Sequence, residues 1–522
     1  MFVKYCVPVL LAAGSLPQLN AQQQLRLRID HDKKFQTIEN IGASGCWFSE
    51  GLGTTWPAAE REKAAKLLFS RKFGPDGQPT GIGLSAWRFN IGGGTAEQGS
   101  GSGIKTSVKR VESFLDSTGK YDFTKQAGYQ WFLRKAKEYG VEYLIAFSNT
   151  PPVFFNKNGL GFKTEKDYVA NLRPDKYVAY ADFLATVVDH FNKQGLHFSF
   201  LSPVNEPQWD WSNKFGEMNQ EGTPWHNEDI YRITEKLDSI LIKRRINTRV
   251  IVPEAATLKY LYNERGHASR QIQHFFNPSS PFNVRKFKSV YPVAVGHSYF
   301  TDAGDSARVA VRVRLKDTAA AYGVPFWQSE YSMLGNGYKE NKKGRIPAID
   351  CALFLAKMIH TDLTVADAAA WQLWNVYEPG SAEFDTRYYL IALNTDDSNS
   401  TGTITVTKNL WAMGHFSLFV RPGMQRIDAK VHGDDPGIHK QDGLMISAFS
   451  GKDGKKVVVL INYSDTAINL DARELSESYR SSILYTTTAD NDVNMKPGKL
   501  KNLQNVSIPA RSVNTIVVHE RK

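Results

Sequence analysis

Eight short apolar runs, each followed by a helical stretch, fill residues 38–420 and predict a (β/α)8 TIM barrel, an α/β fold. Past residue 420 the chain changes to short strand-like runs separated by Gly- and Asp-rich turns such as Gly451-Lys452-Asp453-Gly454, which predicts an attached antiparallel β-sandwich domain. Ahead of the barrel, Gln24–Asp30 alternates Leu and Arg, a period of two that can add one more strand to that sandwich.

The barrel strands are expected at Ile38–Gly45, Leu84–Ile91, Glu142–Asn149, Phe198–Glu206, Arg249–Glu254, Ala294–Tyr299, Pro325–Tyr331 and Ala368–Asn375. Several are apolar on both faces, as strands covered on both sides require. Thr55-Trp56-Pro57 opens a helix, with Pro expected at the first helical position. Tyr177, Tyr180, Leu184, Val187, Val188 and Phe191 fall on one helical stripe. Gly140 and Gly195 follow helical stretches where a left-handed cap is needed. In the sandwich, strands are expected at Leu444–Phe449, Lys456–Tyr463, Ala467–Leu470, Arg480–Thr487 and Val513–His519.

With 522 residues the chain is too long for one ordinary core. Residues 1–21 read as a signal peptide: Lys4 is the positive start, Tyr5–Gly14 the apolar centre and Leu19-Asn20-Ala21 the cleavage region. The apolar run is too short to span a bilayer, so a secreted or periplasmic protein without a membrane span is expected. Residues 22–37 are then the joining strand, 38–420 the barrel and 421–522 the sandwich. The net charge of +11 invites a nucleic-acid reading, but the basic clusters at Lys243-Arg244-Arg245, Lys342-Lys343-Gly344-Arg345 and Lys455-Lys456 are far apart and form no long basic run. No nucleic-acid partner is therefore expected, and the protein is expected to be a monomer. Cys46 and Cys351 remain after the signal; a disulfide is open to them, but buried free thiols suit a chain of this size. No Cys/His spacing or carboxylate cluster calls for a metal or other cofactor. Gly92-Gly93-Gly94 lacks the spacing of a phosphate loop.

Two glutamates carry the chemistry. The fourth strand ends in Ser202-Pro203-Val204-Asn205-Glu206-Pro207 and the seventh in Trp327-Gln328-Ser329-Glu330-Tyr331. Strands four and seven face each other across a barrel, and catalytic groups sit at the strand C-termini. Retaining cleavage of a glycosidic bond needs such a pair roughly 5–5.5 Å apart, one carboxyl protonated and the other charged. A charged neighbour raises the pKa of the first glutamate and so separates the roles.

The segments Phe35-Gln36-Thr37-Ile38-Glu39-Asn40-Ile41-Gly42-Ala43, Trp87-Arg88-Phe89-Asn90-Ile91-Gly92-Gly93, Phe147-Ser148-Asn149-Thr150-Pro151-Pro152, Pro203-Val204-Asn205-Glu206-Pro207-Gln208-Trp209, Gln328-Ser329-Glu330 and Met413–Gly423 resemble glycoside hydrolase family 30, within it the endo-β-1,6-galactanase-like branch. The resemblance implies a barrel-plus-sandwich enzyme of retaining mechanism, with Glu206 as acid/base and Glu330 as nucleophile. It also implies that Asn205 bonds the sugar 2-hydroxyl, that Arg88 and Tyr299 attend the nucleophile, and that the sugar stacks on Trp374.

Other readings stay open at several of these positions. Arg88 can instead be a structural ion pair, and Trp374 barrel packing. Asn149 and His297 can bond sugar hydroxyls or hold a loop. Trp47, Trp209 and Trp211 can line outer subsites. Glu254, Glu97 and Glu378 are substrate contacts or loop salt bridges. The expected partner is a polysaccharide or oligosaccharide; β-1,6-glucan, xylan and β-glucosides or β-fucosides are alternative substrates, because loops set the pocket shape. A non-catalytic carbohydrate-binding barrel is the alternative of another class.

Overall fold

The eight apolar runs form parallel strands, Asn40–Ser44, Ala86–Asn90, Tyr143–Phe147, Phe198–Ser202, Arg249–Ala255, Val290–His297, Phe326–Glu330 and Ala370–Trp374, in a computed structural model that describes residues 24–263, 265–432, 443–476 and 478–520. The first pairs with the eighth, Asn40 to Ser44 against Ala370 to Trp374, and closes the barrel. The proposed signal peptide, with Lys4 and Cys6, lies outside the described residues. Strand closure demands small residues where neighbours approach. A Cβ on Gly42 would lie 2.6 Å from both Ala86 Cβ and the Ala86 carbonyl oxygen, so strands one and two pack at a distance only glycine allows there.

The helices cover the barrel through the expected stripes. Tyr177, Tyr180, Leu184, Val187, Val188 and Phe191 are all buried on the helix Tyr177–Lys193. Each fully buried side chain of this size contributes about 1.5–3 kcal/mol relative to an exposed one. Gly140 and Gly195 have φ of 80° and 79°, the left-handed backbone that ends the preceding helices. Pro57 is displaced by one position from the sequence expectation. It is the N-cap of Ala58–Phe69, with φ −51° and ψ 136°, rather than its first helical residue.

Nine of the remaining strands form one sheet around a second core that includes Leu27, Ile427, Leu460, Leu470, Val506 and Ile516. Its order runs Lys496–Lys499, Tyr479–Thr487, Ser512–Glu520, Lys455–Asn462, Leu444–Ser450, Gln425–His432, Leu25–Thr37, Ile468–Asp471 and Val506–Ile508. All its pairs are antiparallel except the one joining Leu25–Thr37 to Ile468–Asp471. The N-terminal strand thus enters the sheet of the C-terminal segment, pairing Arg26 to Asp30 with His432 to Asp428.

Three strands of this sheet were not legible in the sequence. Gln425–His432 alternates charged and apolar residues but breaks no turn pattern; Lys496–Lys499 contains Pro497 and Gly498; Val506–Ile508 is three residues long. A small sheet of Tyr377–Pro379, Ile391–Thr395 and Gly402–Val406 after the last barrel strand was also unforeseen.

Two helices join barrel and sheet. His415, on Lys408–Ser417, bonds Thr515 Oγ1 and Thr487 Oγ1, each at 2.9 Å. His360, on Ala348–Thr364, bonds Ser447 Oγ at 2.8 Å. Burial drives both imidazoles down to about 3, so they are neutral hydrogen-bonding groups of the interface. Cys46 and Cys351 are buried free thiols. No helix among the described residues is long and apolar enough to cross a membrane.

Candidate active site

The C-terminal ends of the strands open into a cleft of about 650 Å³. Glu330 is the last residue of its strand, while Glu206 lies four residues past Ser202. Glu206 has φ of 43°, and its backbone N–H donates to the Glu254 carbonyl at 3.0 Å, which fixes the turn that aims the side chain inward. A carboxylate oxygen of Glu206 comes within 4.8 Å of one on Glu330.

The two carboxyls have different surroundings. Arg88 Nη1 donates to Glu330 Oε2 at 2.6 Å, and the Tyr299 hydroxyl donates to Glu330 Oε1 at 3.0 Å. Glu206 Oε1 lies 3.0 Å from His297 Nδ1. Burial raises the Glu206 carboxyl above its ordinary range; His297 opposes this, and the Glu330 charge adds to it.

Beneath both sits Glu254, which is fully buried. It accepts from Ser329 Oγ at 2.6 Å, from Ser202 Oγ and from His297 Nε2 at 3.1 Å, with Arg88 Nη2 at 3.6 Å. Burial alone would raise its pKa, but the Arg88 and His297 charges and the hydrogen bonds hold it down at about 2. His297 is also desolvated, yet Glu330, Glu206 and Glu254 around it push it up to about 10. Arg88 stays a cation between Glu254 and Glu330, 4.1 Å from the Phe147 ring centroid.

Glu254 is therefore neither a substrate contact nor a loop salt bridge: it is excluded from solvent and balances two buried cations. His297, read as a group for sugar hydroxyls or a loop, does neither. It is fully buried, and both ring nitrogens are taken by carboxylates. Arg88 likewise lies behind Glu330 and does not line the cleft, so neither residue is a direct sugar ligand.

Asn149, Asn205, Tyr299 and Trp374 all line the cleft, as do Trp47, Trp209 and Trp211. Asn205 Nδ2 donates to Asn149 Oδ1 at 3.1 Å, which leaves Asn149 Nδ2 and Asn205 Oδ1 without partners among the described residues. Trp374 meets Trp47 edge to face, ring centroids 5.1 Å apart. Glu378 reaches the cleft wall, whereas Glu97 does not and instead accepts from the Ser113 backbone at 3.2 Å. Lys109, Ser332 and Tyr388 also line the cleft, and nothing in their sequence context signals it.

The Gly92-Gly93-Gly94 run serves packing. A Cβ on Gly92 would meet Val111 Cγ1 at 2.3 Å and one on Gly93 would meet Thr150 Cγ2 at 2.5 Å. The acceptor on the Gly93 N–H is the chain's own Glu221 carboxyl, 3.2 Å away. Among the described residues, Glu206, His297 and Glu330 are the group whose ligand atoms lie close enough to hold a metal ion. Both oxygens of Glu330 and both nitrogens of His297 are already engaged, and a cation there would face the Arg88 guanidinium.

Residues 24–383 match O-Glycosyl hydrolase family 30, and residues 423–516 match the Glycosyl hydrolase family 30 beta sandwich domain. The Glucuronoxylanase XynC of Bacillus subtilis is 27% identical over 377 residues, 70% of either chain. An Exo-beta-1,6-galactobiohydrolase of Bifidobacterium longum is 22% identical over 277 residues, 43% of this chain and 18% of that one. A conserved exported protein from Bacteroides fragilis superposes with a TM-score of 0.87 at 33% identity, over 95% of this chain and 100% of that one. With both of its halves matched and the strand-end carboxylates in one cleft, the chain belongs to glycoside hydrolase family 30, an O-glycosyl hydrolase family acting on β-linked polysaccharides.

Proposed function

We propose that the protein is a retaining glycosidase in which Glu330 is the nucleophile and Glu206 the general acid/base, and that its preferred bond is β-1,6 between galactoses. The observation that carries the mechanism is the approach of the two carboxyls within 4.8 Å, one bonded to Arg88 and the other to His297. A charged His297, donating through Nε2 to Glu254 and through Nδ1 to Glu206 Oε1, leaves Glu206 Oε2 to carry the acidic proton.

In the first step a Glu330 oxygen bonds to the anomeric carbon. The glycosidic C–O bond breaks, and Glu206 passes its proton to the leaving oxygen. The resulting ester has no charge, so the repulsion that held the Glu206 proton falls and Glu206 becomes a base. It then takes a proton from water, whose oxygen bonds to the anomeric carbon as the Glu330 ester breaks. Each displacement inverts that carbon, and the product keeps the β configuration. Asn205 and Asn149, with unpaired polar atoms at the cleft, suit sugar hydroxyls, and Trp374 offers a ring face for stacking.

The choice of β-1,6-galactan is supported by the sequence resemblance to the galactanase-like branch and by the similarity to the Bifidobacterium exo-beta-1,6-galactobiohydrolase. Export follows the N-terminal pattern of residues 1–21. Proton NMR during hydrolysis of a β-1,6-galactan tests both halves. The expected first product is the β-anomer. An initial α-anomer refutes double displacement; cleavage of β-1,6-glucan or xylan with none of galactan removes the substrate. Release of no reducing ends from any of them would favour a carbohydrate-binding protein.

A further inference from the structure

The cleft has two charged side chains that the two-carboxylate mechanism does not use, Lys109 and Glu378. Lys109 ends the short 3-10 turn Ser107–Lys109, in the segment after the second barrel strand. Its ammonium stands 4.4 Å from the centroid of the Trp47 ring. Glu378 follows the eighth strand, on the short strand Tyr377–Pro379, and Asn375 Nδ2 donates to its Oε1 at 3.1 Å. Among the described residues no carboxylate comes within 4.0 Å of Lys109, and Glu378 acts on it only through its charge. Two opposite charges in one cleft would close into a direct ion pair if structure were their only purpose, because burial penalises both while they stay apart. Burial does depress the Lys109 ammonium and raise the Glu378 carboxyl.

The side of the cleft on which they lie follows from the acid/base. The leaving oxygen must reach Glu206, so the leaving sugar lies along Trp211, whose indole N–H donates to the Glu206 carbonyl at 3.1 Å, and along Trp209 beside Phe300. The sugar attacked by Glu330 must lie the other way, against Trp374 and Trp47. Lys109 and Glu378 belong to that second wall.

We propose that Lys109 and Glu378 clamp the hydroxyl groups of a neutral glycone and exclude a uronic acid from the position next to the cleaved bond. This rests on the hydrolase reading of the same site. The ammonium donates to one hydroxyl oxygen, a neighbouring hydroxyl donates to the carboxylate, and the sugar completes the contact that the two side chains do not make with each other. A carboxylate on the glycone would gain the ammonium but lose the hydroxyl that donates to Glu378 and set a second negative charge beside that carboxylate.

Binding and turnover separate this clamp from the mechanism. Titration of the full-length Glu206→Gln protein with β-1,6-galactobiose, and with the disaccharide carrying glucuronic acid as its glycone, reads the clamp without hydrolysis. The neutral disaccharide is expected to bind at least about tenfold more tightly, and adding Lys109→Met or Glu378→Gln is expected to weaken its binding about tenfold each, as for a lost charged hydrogen bond. Glu378→Gln should also narrow the difference between the two sugars, and Lys109→Arg should recover part of the loss. Equal or tighter binding of the acidic disaccharide, no binding of either, or substitutions that shift the dissociation constant less than about twofold would overturn the clamp. If these binding effects hold while the wild-type chain cleaves no β-linked polysaccharide, the clamp stands and the hydrolase reading falls; cleavage that proceeds with neither variant altering KM or binding has the reverse meaning.

Discussion

His297 Nε2 lies 3.1 Å from Glu254 Oε2, and both side chains are fully buried beneath the cleft. The pair lets a charged imidazole persist where burial alone would neutralise it, and through Nδ1 that charge reaches Glu206. Glu206 is thus held by a cation whose own charge is balanced by a carboxylate that substrate never meets.

This relationship has a stability signature. The folded-state pKa of His297, about 10, lies above its ordinary value of 6.5. A group raised in this way adds stability that is fully present below its unfolded value and is lost as pH rises through its folded one. The melting temperatures of wild type and His297→Gln should therefore differ most below about pH 6.5 and converge toward about pH 10. A gap independent of pH across that window would show that His297 is not charged in the fold. Glu254→Ala, which removes the buried anion shared by Arg88 and His297, should cost about 3–5 kcal/mol in chemical denaturation.

Glu206→Ala and Glu330→Ala should each lose about a thousandfold or more in turnover with the circular dichroism spectrum retained. They should respond differently to azide. In Glu330→Ala a small anion can enter from the vacated side and give an inverted azide product; in Glu206→Ala the nucleophile is still present, so any azide product keeps the β configuration. Near wild-type turnover in either variant would break the assignment.

Chelators should leave activity unchanged. The carboxyls and imidazole that could hold an ion already bond to Arg88, Tyr299, Glu254 and one another, and the two-carboxylate route needs no metal. Activity lost in EDTA and restored by one divalent cation would count against this.

A chain ending at residue 420 should be poorly soluble and inactive. The strand Leu25–Thr37 would lose Gln425–His432 and Ile468–Asp471 as partners. The interface bonds of His360 and His415 would be broken, and the apolar surface around them exposed. A soluble, fully active truncated chain would show that the sheet is dispensable.

Much of this protein was legible from local pattern. Every barrel strand fell within or beside an apolar run, because strands covered on both faces must be apolar along their length. The two glutamates proposed as catalytic were visible for a related reason: a charge at the end of such a run is costly unless it faces the mouth. The alternation in Gln24–Asp30 correctly placed a strand in the far sheet. What the pattern could not carry was everything that depends on partners distant in the chain. Glu254 ends an apolar run just as Glu206 and Glu330 do, yet only the closed barrel shows that it points to the floor, between Arg88 and His297, and not into the cleft. Arg88 reads from the sequence as a partner of Glu330 or a structural ion pair, and it does bond Glu330. His297 reads as a group for sugar hydroxyls or a loop, and the fold instead makes it a charge between Glu206 and Glu254. Lys109 and Glu378 come from loops after strands two and eight, and their meeting in one wall has no local signal. Period and composition determine which segments become strands and helices, since those are choices made over a few neighbouring residues. Which charges face one another across the barrel is decided by closure, which brings residues hundreds of positions apart to within hydrogen-bonding distance in a medium of low dielectric.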